Sequence, residues 1–235
     1  MSQGSCRGPG YWIIRYNSLL NKQFTHHTKA IAFADDLVIT TKAESIPEAE
    51  NIINAELSKI SIWAIENKLQ FNEQKSQVML LTRRKRKENR EIKIYLNNKP
   101  LIQVSSMKYL GIIFDHKLTF REYINYMAEK CTKLIFSLSK SAKLNWRLQH
   151  AALKSIYTGA ILPLLLHGAP IWYKSINITS NKLKLIRVQK LINIKIATAY
   201  RTVSNEALST LTGLTPITTK IQKASKYYRI IRGCE

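Results

Sequence analysis

The chain has 235 residues, 45% of them hydrophobic, which suffices for one large or two modest domains and excludes a disordered segment. Its 37 Lys and Arg against 15 Asp and Glu leave a formal charge of +22, which points to a polyanionic partner, nucleic acid foremost. Cys6, Cys131 and Cys234 are far apart and in no CxxC arrangement, arguing against a disulfide framework or a zinc site, and the most apolar run, residues 160–166, is too short to cross a bilayer. A reducing, intracellular setting is expected, nucleus and cytoplasm, with neither signal peptide nor membrane partner.

In chain order, a Gly-rich opening, Gly4 to Gly10, feeds a helix from Tyr11 to Leu20, on which Trp12, Ile13, Tyr16, Leu19 and Leu20 recur at helical spacing. The abrupt start suggests a truncated reading frame. His26 and His27 lie in a polar connection. Next, Ala30 to Thr40 sets Asp35 and Asp36 between two short apolar runs, the pattern of a strand, a tight tip and a second strand. Neighbouring side chains on a straight strand face opposite ways, so a turn at Ala34-Asp35-Asp36 is what would let both acids serve one site.

Ser45 and Glu48 have capping-box spacing with Pro47 in the first turn, so a helix starts there and ends near Asn67 and Lys68. Ile53, Leu57, Ile60, Trp63 and Ala64 form its core stripe, with Glu50, Glu56, Lys59 and Glu66 off it. Residues 75–82 read as a strand with Lys75 at its polar start. The run Arg83 to Lys87 must be a loop, since consecutive cations cannot pack together. Residues 92–96 and 101–104 read as strands about an Asn97-Asn98 turn. A further strand spans 108–115, with Gly111 inside it to admit a bend or another backbone.

From about Phe120 the pattern becomes helical. Tyr123, Met127, Leu134 and Leu138 mark one helix; Leu153, Ile156, Tyr157 and Ile161 mark another that Pro163 interrupts; Leu183, Ile186, Val188, Leu191, Ile192 and Ile196 mark a third. Residues 130–235 hold 18 Lys and Arg but only Glu206 and Glu235 as acids, so this half is expected to contact phosphate.

Adjacent acids at a hairpin tip suit hard cations such as Mg2+, which take oxygen ligands and retain water or phosphate oxygens. A pair of such ions can run displacement at phosphorus. An ordinary Asp-Asp turn is the plain alternative. Lys75 could touch a triphosphate or donate a proton to leaving pyrophosphate, or be a solvated strand-end lysine.

As an ordered series these segments resemble the reverse transcriptase of non-LTR (LINE-type) retrotransposon polyproteins, in the jockey-like or ribosomal-DNA-inserting branch. Gln3-Gly4-Ser5 with Gly8-Pro9, Trp12 and Asn17 to Leu20 resembles the loop-helix motif beside the incoming nucleotide and template. Phe33-Ala34-Asp35-Asp36 resembles the metal-binding palm hairpin. Leu69 to Asn72 with Lys75 resembles the next motif, and Lys108-Tyr109-Leu110-Gly111 the primer-grip region. Tyr157, Pro163, Gly168, Trp172 and then Ala199 to Thr202 resemble the thumb and following helices.

The resemblance implies an α+β fold, a partial right-hand palm at 1–118 built on an antiparallel sheet with helices, followed by an all-helical basic thumb at 119–235. It implies RNA-templated DNA synthesis with two Mg2+ ions, in which a primer 3′ hydroxyl attacks a dNTP and pyrophosphate leaves. Asp35 and Asp36 would hold metal; Gln3, Gly4, Ser5 and Lys75 would line the nucleotide and template pocket; Lys108 to Gly111 would place the primer. Partners would be RNA template, DNA primer, dNTP and the polyprotein's upstream fingers and endonuclease. Ser2 stands where the family has Pro, and Arg7 where it has an aliphatic residue. The family's first catalytic aspartate would lie upstream of Met1, so the rival expectation is a nucleic-acid-binding remnant without chemistry.

Overall fold

In the computed structural model, which describes residues 6–82, 91–145 and 150–233, backbone contacts separate the chain into two units, Met1–Ser105 and Ser106–Glu235. Each has its own buried core.

The first unit begins with α1 (Gly8–Leu20). Gly8 and Gly10 lie inside this helix rather than in the expected loop, because Pro9 sits in the first turn, where its missing N–H costs nothing. Tyr16 and Leu19 are buried, whereas Ile13 and Leu20, expected on the core stripe, are exposed. The hairpin of β1 (Thr28–Phe33) and β2 (Asp36–Thr41) follows. Among the described residues β1 pairs with β2 alone, and its outward row leaves Ile31 and Phe33 53% and 60% exposed.

The capping box forms as the spacing requires: the Glu48 N–H donates to Ser45 Oγ, and Glu48 Oε2 accepts from the Ser45 N–H. It opens α2 (Ile46–Glu66), which buries Leu57, Ile60, Trp63 and Ala64 on the expected stripe. Glu56, expected off the stripe, is fully buried; its Oε1 accepts from the Thr25 N–H and from Lys59 Nζ, both at 3.0 Å. Two links hold α1 against this helix: Trp63 Nε1–H donates to Ser18 Oγ at 2.9 Å, and the Arg15 guanidinium donates to the Asn67 carbonyl.

The remaining strands of this unit are β3 (Gln77–Val78), β4 (Tyr95–Leu96), β5 (Lys99–Pro100) and β6 (Ile102–Gln103). They are far shorter than the expected strands, and β3 pairs with β6 in parallel. Lys75 lies in a turn rather than a strand because Asn72 captures the local donors: its Oδ1 accepts from the Lys75 N–H, and its carbonyl from Ser76 Oγ. Asn97 and Asn98 both have positive φ, the two-residue turn that matches strand twist. The basic run Arg83 to Lys87 lies outside the described residues.

The second unit opens on the hairpin of β7 (Ser106–Tyr109) and β8 (Ile112–Asp115). Gly111 is therefore in a turn, not inside a strand, since Leu110 and Gly111 both take positive φ. Among the described residues the sheet structure is four two-stranded ladders, one of them parallel, in place of one antiparallel sheet. The division at Ser105 precedes the boundary after residue 118 that the resemblance implies; Ile112 shares a buried cluster with the helices that follow, and Phe114 meets Phe120 edge-on.

Those helices are α3 (Arg121–Asn145), α4 (His150–Ile156), α5 (Leu162–Leu166), α6 (Ala169–Trp172), α7 (Thr179–Ala197), α8 (Asn205–Thr212) and α9 (Ile217–Arg232). Pro163 does not end the helical run. A π-helical turn, Tyr157–Ile161, precedes it, and the proline falls in the first turn of α5. The buried stripe of α3 runs through Tyr123, Ile124, Met127, Cys131 and Ile135, leaving the expected Leu134 exposed. On α7 the expected Leu183 is likewise exposed, while Asn181, Gln189 and Asn193 are buried. Gln189 is the seam of this bundle: Nε2–H donates to the Thr215 carbonyl at 2.8 Å, and Oε1 accepts from the Ile217 N–H at 2.7 Å. No helix of the described residues is long and apolar enough to cross a membrane.

Candidate active site

The tip of the β1–β2 hairpin is a two-residue turn, Ala34 and Asp35, closed by the Phe33–Asp36 pair. Ala34 supplies the reversal with φ +49°, a left-handed conformation that costs an L-residue about 1–2 kcal/mol. What holds it there is α1: Trp12 Nε1–H donates to the Ala34 carbonyl at 2.9 Å. Trp12 stacks on Tyr16 with ring centroids 5.1 Å apart, and Tyr16 meets Trp63 edge-on. The acidic tip thus rests on an aromatic column anchored in the core.

Both carboxylates are exposed at that tip. Beneath them the Tyr16 hydroxyl is buried, without a hydrogen-bond partner among the described residues. Its pKa is pushed up to about 12, first by burial and then by the charges of Asp35 and Asp36, so it stays a neutral phenol at physiological pH. Asp35 lies in the turn and Asp36 opens β2, and both bear electrostatically on this one buried group.

Two exposed carboxylates are hard oxygen donors of the kind Mg2+ takes, leaving room for water and phosphate oxygens. They form an incomplete ligand set, since no cluster of three His, Cys, Asp or Glu that could hold a metal occurs among the described residues. Lys75 is exposed in its turn. Gln3, Gly4 and Ser5 lie outside the described residues.

The second unit carries the other expected positions. Leu110 and Gly111 form the tip of the β7–β8 hairpin, and Lys108 Nζ stands over the Tyr126 ring of α3, 5.4 Å from its centroid. On the same unit, α3 and α7 enclose a shallow, mostly apolar groove of about 330 Å³ lined by Ala128, Val188 and Leu191 together with Lys133, Lys184 and Arg187, with Glu129 as its acid. Sequence reasoning missed Trp12 and Tyr16 as supports of the acidic tip; aromatic residues four apart on one helix were the available signal.

The tip makes a stability prediction. Ala34→Val should cost about 1–2 kcal/mol, because a β-branched residue tolerates positive φ poorly, whereas Ala34→Gly should be close to neutral. Urea unfolding followed by tryptophan fluorescence checks both, and equal midpoints for Val and Gly would show that the turn conformation is not the constraint.

Residues 1–114 match the family described as Reverse transcriptase (RNA-dependent DNA polymerase). The chain is 26% identical, over 98% of its length, to a retrovirus-related Pol polyprotein from type-1 retrotransposable element R1 2 of Nasonia vitripennis, covering 57% of that protein. It is 30% identical, over 86% of its length, to the corresponding R1 4 polyprotein of the same wasp, covering 55% of it. It is 24% identical, over 84% of its length, to the RNA-directed DNA polymerase from mobile element jockey of Drosophila funebris, covering 22% of it. The chain thus spans little more than half the length of the first two. No solved structure matches it.

Proposed function

We propose, from the match of residues 1–114 to the reverse transcriptase family and of the chain to retrotransposon polyproteins, that it forms the C-terminal part of a polymerase palm, residues 1–118, and a basic helical thumb, residues 119–235, of an RNA-directed DNA polymerase. The observation that carries this reading is the exposed Asp35-Asp36 pair on a sharp turn that Trp12 and Tyr16 support from below.

Asp35 and Asp36 would hold the catalytic ions as part of a larger ligand set. Bound there, Mg2+ would lower the pKa of the attacking hydroxyl and neutralise charge on the departing pyrophosphate. The chain's own residues orient the reactants: the aromatic column keeps the two carboxylates at the turn, Gln3, Gly4 and Ser5 line the nucleotide and template pocket, Lys75 touches phosphate, and Lys108 to Gly111 seat the primer end. The α3–α7 groove tracks the sugar-phosphate backbone through Lys133, Lys184 and Arg187. RNA template, DNA primer and dNTP are its ligands, and the polyprotein's upstream fingers and endonuclease its partners. Its setting is the nucleus and cytoplasm.

Primer extension on an RNA template with Mg2+ and labelled dNTP tests this, using the chain alone and joined to the unmatched remainder of a relative's polyprotein. Incorporation supports the polymerase. Salt-sensitive binding without incorporation in either form supports a second reading, a binding-only remnant, which is favoured by the absence of a third metal-binding acid among the described residues. Under both readings Arg187→Ser should reduce the slope of log affinity against log salt by about 0.9 on duplex DNA, one released counterion. A slope unchanged by Arg187→Ser and Lys133→Ser together would remove the groove from the binding face.

A further inference from the structure

We propose that His167 is a positioning residue for the primer end, which it sets by fixing the Leu110–Gly111 tip; the inference rests on the reading of that tip as primer-contacting. His167 follows α5 and is tied into the bundle by its backbone, not its side chain. Its carbonyl accepts from Tyr123 Oη at 3.0 Å and from Trp172 Nε1–H at 2.8 Å, two donors from buried rings. The imidazole is thereby left to reach outward, and its Nε2–H donates to the Leu110 carbonyl at 3.2 Å.

The fit at this junction is close on both sides. A Cβ on Gly111 would stand 3.2 Å from His167 Nε2, and a Cβ on Gly168 would stand 2.3 Å from Ile112 Cδ1. Both glycines also have positive φ. So the hairpin tip lies directly on the His167-Gly168 corner: a Cβ at Gly111 would press on the imidazole, and one at Gly168 would have to displace the end of the Ile112 side chain. Leu110, held at φ +46° by a turn that favours Gly or Asn there, gains from the imidazole a hydrogen bond to its carbonyl. A tip clamped at its base presents Lys108 and Leu110 in one fixed place, which is what aligning a primer hydroxyl requires, since small misplacements of reacting groups cost large factors in rate.

The test uses the full chain. His167→Ala keeps the carbonyl anchors and should speed amide exchange at Tyr109 and Ile112, which close the turn, about ten-fold, the effect of one lost neutral hydrogen bond. His167→Gln, whose side-chain N–H can reach the same carbonyl, should restore slow exchange. In parallel, the chain's preference for a duplex with a recessed primer 3′ end over a blunt duplex should fall several-fold in His167→Ala and in Lys108→Ala, and return in His167→Gln. Exchange unchanged in His167→Ala overturns the clamp. Faster exchange with an end preference lost only in Lys108→Ala overturns its role in primer placement. An end preference that survives both substitutions overturns the primer-contacting reading itself, and the clamp then stands as a structural contact alone.

Discussion

Asp35→Asn will abolish Mg2+-dependent nucleotide incorporation, lowering its rate at least about a thousand-fold, because a metal ion contributes several kcal/mol of charge stabilisation and each 1.36 kcal/mol is a factor of ten. The substitution is nearly isosteric at an exposed tip, so the fold and the salt-sensitive affinity for duplex should not change. Asn keeps one carbonyl oxygen but loses the charge that a divalent cation requires. Asp36→Asn should follow in the same direction with a smaller loss, since Asp35 occupies the turn itself. The assay is primer extension by the chain joined to the unmatched remainder of a relative's polyprotein, with Mn2+ titration of the chain alone as a second readout. Extension at the normal rate by Asp35→Asn would remove that residue from the chemistry, and Mn2+ binding equal to that of the unsubstituted chain would remove it from the metal site.

Asp115→Ala should destabilise the second unit by about 3–4 kcal/mol, because a buried carboxylate that satisfies several donors is lost and bonds to a charged group contribute about 1.5–3 kcal/mol each, without full additivity. Its Oδ1 accepts from the Lys117 and Thr119 N–H groups and from Thr119 Oγ1, and its Oδ2 from the Phe120 N–H at 2.5 Å. These bonds hold a loop in which Leu118 and Phe120 both take positive φ at the entrance to α3. With Ala the Phe120 N–H is buried without a partner and the loop conformation loses its restraint. Asp115→Asn keeps the shape but turns an N–H2 toward N–H donors, so it should recover less than half of the loss. Urea unfolding followed by near-UV circular dichroism decides; a shift under 1 kcal/mol for Ala would show that the loop holds itself.

What the sequence discloses is what short-range chemistry dictates. The Asp-Asp tip, the Ser45–Glu48 box and the Asn97-Asn98 turn each depend on residues within four positions, and all three appear where spacing put them. Features that depend on a distant partner stayed hidden. Glu56 reads as a surface acid until Thr25 is found beside it, and Gln189 as a polar interruption until α9 is found beginning on it. Gly111 reads as a strand glycine because its left-handed φ and its contact with His167 leave no local trace. Pro163 reads as a stop because nothing nearby announces the π-helical turn that absorbs it. The candidate site divides the same way: the acids themselves were legible, while Trp12 and Tyr16, which hold them, act across a tertiary contact.

The outward row of β1 has a practical corollary. A strand that among the described residues meets only one neighbour, with Ile31 and Phe33 turned to water, offers a ready rail of amide and carbonyl groups to any other extended chain. Concentrated solutions of this polypeptide will therefore tend toward sheet-to-sheet oligomers, and a charged residue in place of Ile31 is the natural remedy, since it burdens the rail without touching the acids four and five residues further on.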